Sequence, residues 1–168
     1  KTCTITNNDN TAHLTLVKAV DNAWCGSGCA TPANWTLTAT GVKTFSGAGG
    51  FNLDVDAGTY TLSESAGPAG YTTGAFDCGP SVTLALGESK TCTITNDDQT
   101  AHLKLVKVVV NNNGGTAEAA AWTLSAAGPT PLSGLGPMVE ADVNAGAYNL
   151  SEAGPAGYST TGYDCGAS

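Results

Sequence analysis

The chain of 168 residues carries 14 Asp and Glu against 6 Lys and no Arg, a formal net charge of -8. That excludes a nucleic-acid binder, which needs a basic face and Arg forks, and argues against an anionic membrane surface. Charged residues at 12% with 22 Gly leave little for the polar faces of long helices, while 41% hydrophobic residues suffice for a core. No apolar run approaches the ~18 residues that span a bilayer.

Lys1-Thr2-Cys3-Thr4-Ile5-Thr6-Asn7 begins in mid-strand pattern and shows no signal peptide. The chain is therefore expected to be a mature piece or a window of something longer. After the polar joint Asn8-Asp9-Asn10, period-2 alternation predicts strands at Leu14–Lys18, Trp35–Thr38, Phe51–Val55, Tyr60–Glu64, Val82–Leu86 and Cys92–Thr95. Clusters such as Gly47-Ala48-Gly49-Gly50 and Gly67-Pro68-Ala69-Gly70 separate them. About seven short strands in roughly 88 residues is the spacing of a β-sandwich. Asn96-Asp97-Asp98-Gln99-Thr100 is a joint too short for a flexible tether, so stiff end-to-end packing of units is expected.

From Thr100 the pattern starts again. Lys1–Asn7 recurs as Lys90–Asn96, and Thr11-Ala12-His13-Leu14 as Thr100-Ala101-His102-Leu103, both at an offset of 89. Gly67-Pro68-Ala69-Gly70-Tyr71 recurs as Gly154-Pro155-Ala156-Gly157-Tyr158, and Asp77-Cys78-Gly79 as Asp164-Cys165-Gly166, at 87. Residues 11–98 thus read as one whole unit, and 100–168 as a second without counterparts of Val82–Ser89 and of the Lys90–Asn96 strand. Residues 1–7 are a copy of that second missing piece. The two offsets sum to 176, which is also 168 plus the eight residues Val82–Ser89. The chain reads as two units of a periodic array, cut out of phase with the unit boundary.

Cys78 and Cys92 flank one expected hairpin and should pair; a bridge across fourteen residues contributes ~3 kcal/mol. Cys25-Gly26-Ser27-Gly28-Cys29 is a tight loop found only in the first unit and is expected to be self-bridged. A free thiol pair and a metal site are its alternatives, the latter poor because two Cys without a second pair is not zinc spacing. Cys165 matches Cys78, and its periodic partner is Cys3 of the next copy. Small, charge-poor β modules with disulfides point to an oxidising compartment.

Three signatures recur in order. A first strand ends in Lys, as Leu14-Thr15-Leu16-Val17-Lys18 and Leu103-Lys104-Leu105-Val106-Lys107. A middle strand ends in Glu before a Pro-Ala-Gly-Tyr turn, as Gly58–Glu64 with Pro68–Tyr71, and Gly146–Glu152 with Pro155–Tyr158. A last strand ends in Asn, as Ile94-Thr95-Asn96 and Ile5-Thr6-Asn7. Each unit in this respect resembles the Cna-B-type (prealbumin-like) sandwich modules of bacterial surface adhesins and pilins. The cysteine pairs depart from the plainest members and resemble the tandem repeats of long bacterial surface proteins. The resemblance implies an all-β fold of two tandem Ig-like or prealbumin-like sandwiches, on an extracellular or cell-surface protein. It also implies that Lys18 and Asn96 can join as an isopeptide with Glu64 acting on both. In the second unit the set is Lys107 and Glu152, with Asn7 from a neighbour.

Strand parity permits this chemistry. Leu14, Leu16 and Lys18 share one face, as do Tyr60, Leu62 and Glu64, and Cys92, Ile94 and Asn96. If the apolar members point inward, so do the three polar ones. Burial disfavours the charged forms of amines and carboxyls, so a neutral amine can attack a carboxamide polarised by a protonated acid. A buried Lys-Glu pair capped by an Asn amide fits the same parity.

Of the other residues, Trp35 and Trp122 are expected in the core, and His13 and His102 at solvent or a domain joint. Trp24, on the Cys25–Cys29 loop, is either a packing contact or a sugar-stacking one. The acidic joints lack any calcium-loop signature and read as solvated linkers. Asn34-Trp35-Thr36 and Asn149-Leu150-Ser151 fit the glycosylation sequon but fall in predicted strands. No Ser/His/Asp order, paired-carboxylate cleft or metal cluster recurs, so neither an enzyme nor a cofactor is expected. The functions left are a structural module of an extracellular fibre, filament or stalk, and an adhesin gripping a glycan or surface protein through Asp21–Ala30. Because the second unit lacks its final strand, identical copies are expected to interlock head to tail by strand exchange, the alternative being that the chain is an excerpt of one long polypeptide in which the same strand follows in sequence. Asn8-Asp9-Asn10 reaches only ~10 Å extended, too short to carry Lys1–Asn7 past a whole sandwich to its own second unit.

Overall fold

The computed structural model describes residues 1–166. Its elements are short strands with two single-turn 3-10 helices, at Pro32–Asn34 and Ala119–Ala121. Among the described residues, no helix is long and apolar enough to cross a membrane.

The chain divides into two compact units. One is Lys1–Ala23 with Cys29–Gln99; the other is Thr100–Ser168 together with Trp24–Gly28. In the first, alternating residues build eight strands: β1 (Ala12–Asp21), β2 (Thr36–Thr40), β3 (Thr44–Ala48), β4 (Gly50–Val55), β5 (Gly58–Glu64), β6 (Tyr71–Phe76), β7 (Ser81–Leu84) and β8 (Ser89–Asp98). They form two four-stranded sheets, ordered β4-β1-β8-β6 and β3-β2-β5-β7. The inward residues of both sheets, among them Leu14, Leu16, Leu37, Tyr60, Leu84 and Ile94, close into one buried cluster, as aligned sandwiches do.

The first and last strands of this unit are parallel neighbours. β1 and β8 run in register from His13 opposite Ser89 to Asp21 opposite Asp97. This extends β8 beyond its sequence expectation. Asn96-Asp97-Asp98 was read as a solvated joint, but it is strand, Asp98 lies opposite Tyr71 of β6, and Asp98 is buried. Ladder pairing overrides the polar composition there. Asn34 likewise lies in the first 3-10 turn rather than in a strand, its side chain accepting from the Thr31 backbone N–H.

Among the described residues the second unit repeats the first five strands: β9 (Ala101–Val106), β10 (Thr123–Ala127), β11 (Leu132–Leu135), β12 (Met138–Val143) and β13 (Asn149–Ala153). They form sheets β11-β10-β13 and β12-β9. β13 is followed by coil through Gly166. Lys1–Asn10 is coil and exposed throughout, with no strand pairing among the described residues.

Candidate functional site

Lys18, Glu64 and Asn96 meet inside the first unit. β1 brings Lys18 inward because it continues the Leu14, Leu16 face, and β8 brings Asn96 inward on the Cys92, Ile94 face. Lys18 sits opposite Ile94, so Asn96 is its diagonal neighbour on the adjacent parallel strand. Glu64 arrives from the other sheet at the end of β5. Lys18 is 3% exposed and Asn96 0%.

The Glu64 carboxyl bridges the other two. Its Oε1 lies 2.9 Å from Lys18 Nζ, and Asn96 Nδ2–H donates to its Oε2 at 2.8 Å. The backbone N–H of Gly74 donates to Asn96 Oδ1 at 3.2 Å, polarising the carboxamide from its other end. Lys18 Nζ and Glu64 Oε1 are close but not aligned as a hydrogen bond, and neither has a hydrogen-bond partner among the described residues. The ion-pair distance is therefore met without the directionality that would satisfy either group. A buried polar pair left in that state is costly and calls for a reason.

Trp35 closes the site from above. Its ring centroid lies 4.8 Å from Lys18 Nζ, and Tyr71 stacks edge-on against it with centroids 5.4 Å apart. Gly67 permits this packing, since a Cβ there would sit 1.9 Å from the indole nitrogen. The Tyr71 hydroxyl donates to Asn22 Oδ1 at 2.6 Å and accepts the Ala30 N–H at 2.9 Å. The Gly-Pro-Ala-Gly-Tyr motif thus serves the site through Trp35. Sequence reasoning placed Trp35 in the core but missed its position over the amine. It also missed Gly74, which sits in an irregular stretch of the β6–β8 ladder between Thr73 and Phe76. The invariant distance from Gly67 to Tyr71 in both copies was the available signal.

The second unit holds the same pair without the third member. Lys107 Nζ donates to Glu152 Oε2 at 2.7 Å, below the Trp122 ring at 4.9 Å, with Tyr158 edge-on at 5.1 Å. Both side chains are 15% exposed. Asn7 lies in the exposed amino-terminal coil.

Cys78 and Cys92 are bonded, with Cα atoms 5.5 Å apart, and Cys25 and Cys29 are also disulfide-bonded. Cys3 and Cys165 are free and exposed. Asp77 with Cys78 and Cys92 forms the one cluster of metal-ligand type among the described residues. Its sulfurs are bonded to each other, so they offer no thiolate. His13 and His102 sit on the outer face, bonded to Asp54 and Asp142 on the adjoining strand.

Two tandem prealbumin-like β units, each carrying an inward Lys and Glu under a Trp, define the class of module to which the chain belongs. The chain belongs to the SpaA_2 family, described as a prealbumin-like fold domain, which matches residues 9–94 and 98–168. Among solved structures it is similar to the Bacillus anthracis TIE protein, with a TM-score of 0.58 and 18% identity over 89% of this chain. It spans 30% of that protein's length. No curated protein matches the sequence.

Proposed function

We propose that the chain is a structural repeat of an extracellular fibre, filament or surface stalk, stapled by disulfides and by an isopeptide bond between Lys18 and Asn96. The observation that carries this is the Glu64 carboxyl lying between the Lys18 amine and the Asn96 amide nitrogen in a site closed to solvent. Such a site admits no substrate, so its chemistry is a single turnover on itself. Family membership and two disulfides in a charge-poor β chain support placement outside the cell.

The reactive state has the proton on Glu64 rather than on Lys18, which leaves no ion in the dry site. The neutral amine attacks Cγ of Asn96. The Gly74 N–H holds the oxyanion that forms on Oδ1, the role of an oxyanion-hole donor. The amine proton passes to Glu64, and Glu64 delivers a proton to Nδ2. The Cγ–Nδ2 bond breaks, ammonia leaves, and a secondary amide joins β1 to β8. Intact mass of the folded protein is then one ammonia below the sequence mass, and Glu64→Ala restores it. A full-length mass in folded wild type reduces the site to a buried ion pair.

A second reading, an adhesin that grips a glycan or surface protein through Asp21–Ala30, is favoured by Trp24, which is 41% exposed beside the Cys25–Cys29 bridge. Glycan-array binding that disappears on deleting the loop would carry it.

A further inference from the structure

We infer that Asn22 is a positioning residue of the lysine site: through the Tyr71 hydroxyl it latches the Trp35 ring over the Lys18 amine and keeps water from it. The latch stands on packing within the first unit alone; its effect on bond formation rests on the isopeptide reading above.

Lys18 Nζ is enclosed, with no hydrogen-bond partner among the described residues. An amine in that state would be stabilised by any water that reached it, so what keeps water out also keeps the amine free to react. Trp35 is the cover, its ring centroid 4.8 Å from Nζ. Two neighbours fix the indole. Gly67 leaves no room for a Cβ against it, and Tyr71 meets it edge-on. Gly67 offers only backbone, which cannot swing away. Tyr71 is a half-buried side chain and stays in place only if its far end is tied.

A closed ring of hydrogen bonds ties it. Asn22 Nδ2–H donates to the Ala30 carbonyl at 3.0 Å, the Ala30 N–H donates to the Tyr71 hydroxyl at 2.9 Å, and that hydroxyl donates to Asn22 Oδ1 at 2.6 Å. Each member both gives and receives, so each bond polarises the next. The position requires a donor and an acceptor on one short side chain. Asn has both, Asp lacks the donor, and Ala lacks both.

The second unit shows that the ring is not a property of the loop it closes. Asn111 donates to the Ala117 carbonyl at 3.1 Å, the Ala117 N–H to the Tyr158 hydroxyl at 3.0 Å, and that hydroxyl to Asn111 Oδ1 at 2.7 Å. Tyr158 again stands edge-on to a Trp that covers a Lys. The enclosed residues have little in common: 23–29 carry a disulfide, whereas 112–116 read Asn-Asn-Gly-Gly-Thr. The sequence separation closed by the ring also changes, from 8 to 6. A cap serving only its own loop has no reason to keep the same tyrosine when the loop's sequence and length change. What the two units share is the tie from Asn to Tyr and its place behind the Trp.

The test has two readouts on the full chain. Intact mass follows ammonia loss after cell-free synthesis. Acetylation by N-hydroxysulfosuccinimide acetate reports access to Lys18 in an Asn96→Ala background, where the amine has no carboxamide to join. Asn22→Ala should slow ammonia loss by roughly tenfold or more and speed Lys18 acetylation by a similar factor. Asn22→Asp, which still accepts from Tyr71, should fall between. Tyr71→Phe, which keeps the ring and loses only the hydroxyl, is read in parallel and should act like Asn22→Ala. Val82→Ala, a core truncation on β7, should move neither readout. Lys18 acetylation unchanged by both Asn22→Ala and Tyr71→Phe, or raised as much by Val82→Ala, overturns the latch. Faster acetylation with ammonia loss at the wild-type rate upholds the latch and overturns its role in bond formation. A wild-type chain that never loses ammonia overturns the isopeptide reading, and acetylation alone then decides the latch.

Discussion

Gly74 and Gly67 show how far a site depends on residues with no side chain. A Cβ on Gly74 would lie 2.2 Å from the Thr95 carbonyl oxygen, so only glycine brings this N–H against Asn96. Neither glycine was legible as part of the site, because alternation reports which side chains point inward and not which backbone groups aim at them. Lys18, Glu64 and Asn96 were legible, because each ends a run of inward apolar residues. On the opposite face, the His13 imidazole titrates above its ordinary ~6.5, held up first by its hydrogen bond to Asp54 and then by Asn52. His102 is raised likewise, chiefly by Asp142. The folded chain therefore binds these protons more tightly than the unfolded one. Their contribution is full below ~6.5 and is lost as pH rises through the raised values. The unfolding midpoint should fall between pH ~6 and ~8, and pairing His13→Gln with His102→Gln should flatten the profile. High salt should flatten it too, because the groups are exposed.

Among the elements, the strands with clean alternation were readable and those shaped by their neighbours were not. β1, β2 and β5 carry buried residues at every second position. β6 was missed because Tyr71–Phe76 is mostly exposed and kinked at Gly74, and it exists as a strand by pairing with β8. β3 was missed because Gly47-Ala48-Gly49-Gly50 reads as a loop, whereas only Gly49 separates β3 from β4. β8 is the element on which the first unit depends, since it pairs with β1 and β6 and carries Cys92 and Asn96. Replacing Cys78 and Cys92 by Ala opens a link with a sequence separation of 14. Stability should drop by ~3 kcal/mol, read from the denaturant midpoint. A matched pair of truncations separates the closed sandwich from the open one. Leu14→Ala, in the fully packed β1, should cost ~2–5 kcal/mol. Leu103→Ala, on β9 where the leucine is only half-buried, should cost clearly less.

For the whole molecule, the repeat is the unit of design. The duplication was visible in the offsets alone, and the Lys107–Glu152 pair followed from the same signatures, whereas its place beneath Trp122 needed side-chain positions to be seen. The parallel pairing of β1 with β8 has a further consequence, for a chain under load. Because the two strands run the same way, the polypeptide enters the first sandwich at one end of β1 and leaves at the opposite end of β8. Pulling on the two ends shears the strands along each other instead of peeling them apart. Every hydrogen bond from His13 to Asp21 then resists at once, where an antiparallel pair pulled from one end would give way a bond at a time. If the proposed bond between Lys18 and Asn96 forms, it would carry the tension from one strand straight to the other, near the exit of both. Most of the sandwich would then lie off the line of force, and the unit would behave as an inextensible link.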